Sequence, residues 1–311
     1  MIEKVSVVIP TKNRARDVIK CLESISIQTM RPDEVLIVDS GDTEELKSAL
    51  KQFEKLKIRY IRDIKASLTK AENIGVENSI GEIIIILDDD VTLEKDHIKE
   101  IVNVFNIYPK EKIGGVTGNN INLIASKSNK FINRFYNFSM QALSTIFFMT
   151  RYGNGKFQLS GMPTIIQYAD KITECEFLFG CDMAFRKEVI RELKFDEHLK
   201  GYSWGEDDDI AYRVSRKYQS YYTPFARFIH QGSPSNRNNN YSMMKMAIEN
   251  HYYLFKKNIP QDLKHKFAFW WSVIGLLIRE AIIGVRVNDS SGIMGFVSGI
   301  STIIIQDKYK R

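Results

Sequence analysis

Cysteine is scarce: Cys21, Cys175 and Cys181 are the only three in 311 residues. They form no CxxC pair and no zinc-ligand spacing. A disulfide scaffold and a zinc ribbon are therefore excluded, and the thiols read as those of a reduced, cytoplasmic protein. Glycine-rich phosphate loops are missing too. Neither GxGxxG nor GxxxxGK[ST] follows any expected strand, so dinucleotide binding and P-loop chemistry lose their cradle. No uninterrupted apolar run reaches the roughly 18 residues of a confident membrane span. A strand is expected from Val5, so no secretory leader is expected. There is no repeat at solenoid periods. Charge is nearly balanced, at 44 Lys and Arg against 38 Asp and Glu, a net of +6. That suits an anionic ligand or an anionic membrane surface and is too weak to imply nucleic acid, which is not expected as a partner. An apolar content of 44% with 26% charged residues is that of a folded protein.

What is present centres on Ile83-Ile84-Ile85-Ile86-Leu87 followed by Asp88-Asp89-Asp90. A run of β-branched residues without polar alternation predicts a strand covered on both faces. The three carboxylates begin where that strand ends. Around it the pattern alternates. Val5 to Ile9 is a strand closed by Pro10-Thr11-Lys12-Asn13, and Val18, Ile19, Leu22 and Ile25 mark a helix. Val35 to Val38 is a strand ending in Asp39-Ser40-Gly41-Asp42. Helices follow over about 44–55 and 71–78, with a strand between them at 58–61. This β-α-β-α order predicts an α/β fold with a mostly parallel sheet. The rhythm fades after Val116-Thr117, and 126–157 reads as an insertion. Strand character returns at 176–180, and Ser220 to Thr223 reads as a strand that Pro224 ends. The Ser/Asn-rich stretch 233–240 marks a boundary. The expected division is a catalytic domain over 1–240, with halves at about 1–117 and 118–240, and a helical region over 241–311.

Ligands of open α/β sheets sit beyond the carboxyl ends of the strands. Clustered carboxylates there suit Mn²⁺ or Mg²⁺, with phosphate completing the shell. Taken alone, Asp88-Asp89-Asp90 reads equally well as an exposed acidic turn. Glu206-Asp207-Asp208-Asp209 opens a helix after Trp204-Gly205. One acid there would cap the helix. Four in succession repel one another, which points to a reacting carboxylate. His230 follows a strand and could share a cation with the aspartates, whereas His97, His198, His251 and His265 read as surface or packing residues.

From Tyr241 onward the chain is helical, aromatic and basic. Apolar runs at 267–278, broken by Arg279-Glu280, and at 292–305 are flanked by Arg286, Lys308, Lys310 and Arg311. They read as helices lying on the cytoplasmic face of an anionic membrane, with packing on the catalytic domain or on a second copy of the chain as the alternative.

In order, Val-Ser-Val-Val-Ile-Pro-Thr-Lys-Asn-Arg (5–14), Val-Asp-Ser-Gly-Asp (38–42), Leu-Asp-Asp-Asp (87–90), Gly-Cys-Asp-Met-Ala-Phe-Arg (180–186) and Gly-Glu-Asp-Asp-Asp-Ile-Ala-Tyr-Arg (205–213) resemble the family-2 glycosyltransferases of the GT-A fold. The resemblance implies a Rossmann-like α/β domain and inverting transfer from a nucleotide sugar, a UDP-sugar before GDP- or dTDP-sugars, to a hydroxyl of a glycan or lipid-linked acceptor. It implies that Pro10, Thr11, Arg14, Lys70, Asn73, Asp88 and Asp89 surround the donor and that Asp39 accepts a hydrogen bond from the base. It places the divalent ion on Asp90, Asp88 and His230. Asp207 becomes the general base with Glu206 beside it, and Cys181, Asp182 and Trp204 lie on the acceptor side. One departure stands out: Glu72 occupies the place of an arginine that would face the donor diphosphate. The competing readings are a sugar-phosphate nucleotidyltransferase, which needs a glycine-rich loop that Pro10 to Arg14 does not supply, and a non-catalytic glycan-binding protein, which needs no acidic clusters at three strand ends.

Overall fold

The computed structural model describes residues 4–41, 44–64, 67–122, 131–233 and 239–309. Asp42, 123–130 at the start of the expected insertion, and 234–238 of the expected boundary loop lie outside these residues. The chain divides into two compact units, 1–126 with 166–236 and 127–165 with 237–311. The expected insertion over 126–157 thus falls, from 127 onward, in the unit that holds the C-terminal helices.

In the first unit, β1 (Val5–Thr11), β2 (Glu34–Asp39), β3 (Ile58–Arg62) and β4 (Ile83–Leu87) are joined by helices α1 (Ala15–Ser26), α2 (Glu44–Leu50) and α3 (Leu68–Asn78). They lie in the order β3-β2-β1-β4, all parallel. Every residue of β1, β2 and β4 is buried, as continuous apolar runs between two helix layers require. β5 (Val91–Leu93), α4 (His97–Ile107) and β6 (Ile113–Asn120) follow, then β9 (Thr173–Cys175) and β10 (Asp182–Arg186). α6 (Lys187–Leu193), α7 (Glu206–Ser215) and β11 (Gln219–His230) complete the unit.

Beyond β4 the sheet is mixed. β10 runs antiparallel to both β4 and β6, and β11 is parallel to β6 but antiparallel to β5 and β9. A fully buried strand such as β10 carries no sequence mark of its direction, which is why the alternation alone points to a more uniformly parallel sheet. Strand character expected at 176–180 falls on either side, in β9 and β10. β11 also continues through Pro224 instead of ending there. Its pairing with β6 is irregular between Tyr222 and Arg227, so the proline stands where no ladder N–H is needed.

The second unit holds α5 (Phe131–Ile146), the short pair β7 (Arg151–Tyr152) and β8 (Thr164–Ile165), and three long helices. These are α8 (Asn240–Asn258), α9 (Leu263–Val287) and α10 (Ser291–Tyr309). Asn239 caps α8 by accepting from the Ser242 N–H at 2.8 Å, and Asp262 caps α9 through the His265 N–H at 3.0 Å. α9 does not break at Arg279-Glu280. Both are good helix formers, and their side chains pair at 3.2 Å without disturbing the backbone ladder. Among the described residues, α9, with mean hydropathy 1.6, is the helix long and apolar enough to cross a membrane by length and composition.

α3 lies close on β1 because residue 75 has no side chain; a Cβ there would run into the branched methyls of Val8. Gly→Ala inside a helix ordinarily gains up to about 1 kcal/mol. Here overpacking against a rigid β-branched side chain reverses the sign, and Gly75→Ala is expected to lose about 1–3 kcal/mol in urea unfolding. A stabilised variant would contradict this packing.

Candidate active site

Strand register assembles the first cluster. β4 delivers Asp88, Asp89 and Asp90 at its carboxyl end, and β5 starts at the next residue. Antiparallel pairing of β11 with β5 sets His230 opposite Val91, so its ring falls beside Asp90. The His230 Nε2 lies 3.0 Å from Asp90 Oδ1 and 3.6 Å from Asp88 Oδ2. The Gln231 N–H donates to the Asp90 carbonyl at 3.0 Å, and the Ser233 N–H donates to Asp90 Oδ2 at 2.6 Å. Asn122 donates to the His230 carbonyl at 3.1 Å.

One ligand atom each from Asp88, Asp90 and His230 lies within 4.8 Å of the other two. Asp90 Oδ1 is buried without an aligned hydrogen bond among the described residues. Two carboxylates and an imidazole with such an atom between them fit a small divalent cation, Mn²⁺ more readily than Mg²⁺ because of the nitrogen ligand. Burial pushes the Asp88 carboxyl up to about 6. Burial acts on Asp90 in the same direction, but the His230 ring and the Ser233 N–H outweigh it and hold this carboxyl below its usual value.

Asp89 points elsewhere. It is buried, accepts from Thr11 Oγ1 at 2.7 Å, and pairs with Arg14 at 3.0 Å. Burial pushes it up to about 7 despite these partners. Thr11 and Arg14, expected at the donor, therefore tie the end of β1 to the end of β4; Pro10 is the buried strand residue before them. Asp39 is wholly buried. It accepts from the Gly41 N–H at 2.6 Å and from the Tyr60 hydroxyl at 2.8 Å, so it holds the turn after β2 against β3. Lys70 pairs with Asp63 at 3.1 Å. Asn73 clamps the chain around Phe195 from both sides, donating to its carbonyl at 3.0 Å and accepting from its N–H at 2.9 Å.

The second cluster is at the start of α7. Gly205 precedes it with φ +89°, a left-handed conformation that suits glycine. Asp207 Oδ1 accepts from the Asp208 N–H at 2.9 Å, and the Gly180 N–H also turns to this carboxylate. A Cβ at position 180 would stand 2.8 Å from Asp207 Oδ2, so a glycine is required behind the carboxylate. Burial raises the pKa of Asp207, and burial followed by the Asp207 charge raises Glu206 well above the ordinary range. Asp209 is committed to Arg213 at 2.6 Å.

Glu72 joins the two clusters. It is buried, its Oε2 has no hydrogen-bond partner among the described residues, and burial followed by the charges of Asp88 and Asp207 holds its pKa well above normal. Burial and these two charges disfavour its ionised form, which is how an acid can stand where an arginine was expected. On the acceptor side, Trp204 is 45% exposed. Cys181 is buried, and its carbonyl accepts from the Asp88 N–H at 3.3 Å. Asp182 is buried, pairing with His97 Nε2 at 3.0 Å and accepting from the Gly118 N–H at 2.7 Å. Sequence reading missed Ser233, Asn122 and Tyr60, since a loop N–H or a hydroxyl that orients another group leaves no local pattern.

Comparison with known proteins agrees with this arrangement. The family described as Glycosyl transferase family 2 matches residues 6–193. An uncharacterized glycosyltransferase of Rickettsia felis is 39% identical over 97 residues, 31% of this chain and 16% of that protein. The chain thus aligns with only about a sixth of that relative's length. Among solved structures, a mannosyltransferase from Pyrobaculum calidifontis in complex with GDP-Man and Mn²⁺ superposes with a TM-score of 0.57 at 16% identity, covering 96% of this chain and 86% of that one. GalNAc-T7 with UDP, GalNAc and Mn²⁺ gives 0.60 at 15% identity, covering 90% and 51%. The fold is that of the GT-A glycosyltransferases. With more than half of its length matched, the chain belongs to glycosyl transferase family 2.

Proposed function

We propose that the chain is a metal-dependent, inverting glycosyltransferase that moves a sugar from a nucleotide sugar, a UDP-sugar in the first instance, to a hydroxyl of a glycan or lipid-linked acceptor. The observation that carries the reading is the convergence of Asp88, Asp90 and His230 within 4.8 Å at the end of the strand β4. The Pyrobaculum and GalNAc-T7 structures hold Mn²⁺ beside GDP-Man and UDP respectively, and so support a metal-bound diphosphate without choosing the base.

Asp88, Asp90 and His230 would hold the cation, whose positive charge stabilises a departing nucleoside diphosphate. Asp207 takes the proton of the acceptor hydroxyl as its oxygen attacks the anomeric carbon. Burial raises its pKa, which makes it a better proton acceptor than a free aspartate. Its two backbone N–H donors fix the carboxylate in direction. Burial disfavours the ionised forms of Glu72 and Glu206, which eases the approach of a diphosphate.

Asp207→Asn keeps the shape and removes the base. Transfer should fall by about 10²–10⁴, while UDP–Mn²⁺ binding measured by calorimetry stays unchanged. Normal turnover would remove Asp207 from the base role. Asp90→Ala should lose Mn²⁺ binding and activity together, and an unchanged Mn²⁺ titration would refute the ligand set.

The pH dependence of stability offers a separate check. Asp88 at about 6 and Asp89 at about 7 keep their protons longer in the folded chain than in the unfolded one, where carboxyls titrate near 4. Folding is therefore favoured at low pH and loses stability as pH rises from about 4 to about 7. The metal-free protein should melt lower at pH 7.5 than at pH 5.5. Mn²⁺ should raise the melting temperature more at the higher pH, and should do so in the parent but not in Asp90→Ala. A melting temperature that rises over this interval would contradict the assignment.

A further inference from the structure

α9 has two opposite faces. One is packed inside its own unit: Ala268, Phe269, Ser272, Val273, Gly275 and Leu276 are buried. Phe269 stacks on Phe255 at 4.3 Å and meets His251 at 4.8 Å, both on α8. The other face is open. Leu263, Phe267, Trp270, Ile274, Leu277 and Val285 recur at spacings of three and four residues, apart from one two-turn step, and are 38–86% exposed. At 1.5 Å per residue this strip is about 33 Å long. Lys264, Arg279 and Arg286 lie off its line, and the exposed Lys266 stands at its edge beside Phe267. An apolar strip of this length on a water-facing helix marks an interaction surface.

Charge selects the partner. The unit formed by 127–165 and 237–311 has sixteen Lys and Arg against five Asp and Glu, a net of +11. The whole chain is +6, so the remainder is −5. Pairing the strip with a second copy would bring two strongly cationic units together, whereas an anionic bilayer complements both the apolar strip and the charge. Spanning is disfavoured by the buried face. α8, which covers it, carries Lys245, Glu249, Asn250, Lys256 and Lys257, and these would have to enter hydrocarbon with it or leave it unpaired.

We infer that α9 lies in the plane of an anionic membrane surface, with the Leu263-to-Val285 strip sunk to the level of the acyl chains and the basic residues of its unit on the headgroups. The contact is peripheral, on the leaflet rich in acidic lipid, and independent of the transfer chemistry.

The full chain, cosedimented with vesicles of phosphatidylcholine containing about one third phosphatidylglycerol, should bind at low salt and be released by alkaline carbonate. It should bind pure phosphatidylcholine at least tenfold more weakly. Trp270→Ser with Ile274→Ser, both exposed positions, should reduce binding at least tenfold while leaving circular dichroism and the Mn²⁺ thermal shift of the other unit intact. Bromine on the acyl chain close to the headgroup should quench the parent's tryptophan fluorescence more than bromine at the bilayer centre. The proposal is overturned by equal binding to both vesicle types, by no binding at all, by resistance to carbonate, or by a dimer that the double variant dissociates.

Discussion

Repulsion among gathered carboxylates is the constraint on which the first unit depends. Desolvation first, and then the charges of Asp88 and Asp207, raise Glu72 and Glu206, while desolvation followed by Asp90 and Asp207 raises Asp88 against the pull of His230. A fold that gathers them must discharge each one separately. Asp89 is given to Thr11 and Arg14, Asp90 to His230 and Ser233, and Asp207 to the N–H groups of Asp208 and Gly180. For Glu72, burial disfavours the charged form instead. What remains is a concentration of negative potential around one buried, unaligned oxygen on Asp90. Such a cluster is costly while its charge is uncompensated, and a cation there would relieve that cost.

This division also sorts the three consecutive aspartates, which sequence alone treats as equivalent. They form the turn between β4 and β5, closed by the Val91 N–H donating to the Asp88 carbonyl at 3.4 Å, and the turn separates them. Asp88 and Asp90 face His230, and the intervening Asp89 faces β1. The residues on either side of the motif therefore have different tasks. Arg14 and Thr11 secure the scaffold that presents the pair, and Asp39 secures the neighbouring turn through Gly41 and Tyr60.

Much of the first unit was legible in the sequence because its signals are local. The all-apolar β4 and the acidic start of α7 each follow from neighbouring residues, whereas the stop expected at Pro10 does not occur, since β1 runs through it to Thr11. Legibility failed where the deciding contact is remote. The direction of β10 depends on its partners, and the passage of β11 through Pro224 depends on an irregular register with β6. Asn73 shows the same limit for function. Its amide is spent on the backbone at Phe195, 122 residues away, and no spacing rule reports that.

Charge is distributed as unevenly as chemistry. The unit with the carboxylates is net negative, and the unit of long helices is strongly positive. A nearly balanced total conceals this, since averaging over 311 residues cancels two opposite fields. Each sign suits a different partner: a cation and its diphosphate for the acidic unit, an acidic surface for the basic one. The first unit still holds 28 Lys and Arg, so placement matters more than the total: Arg14 pairs with Asp89, whereas the group set beside Asp88 and Asp90 is the His230 imidazole. A neutral imidazole can share a cation with two carboxylates, which a guanidinium cannot, and that choice of neighbour is what leaves room for a metal.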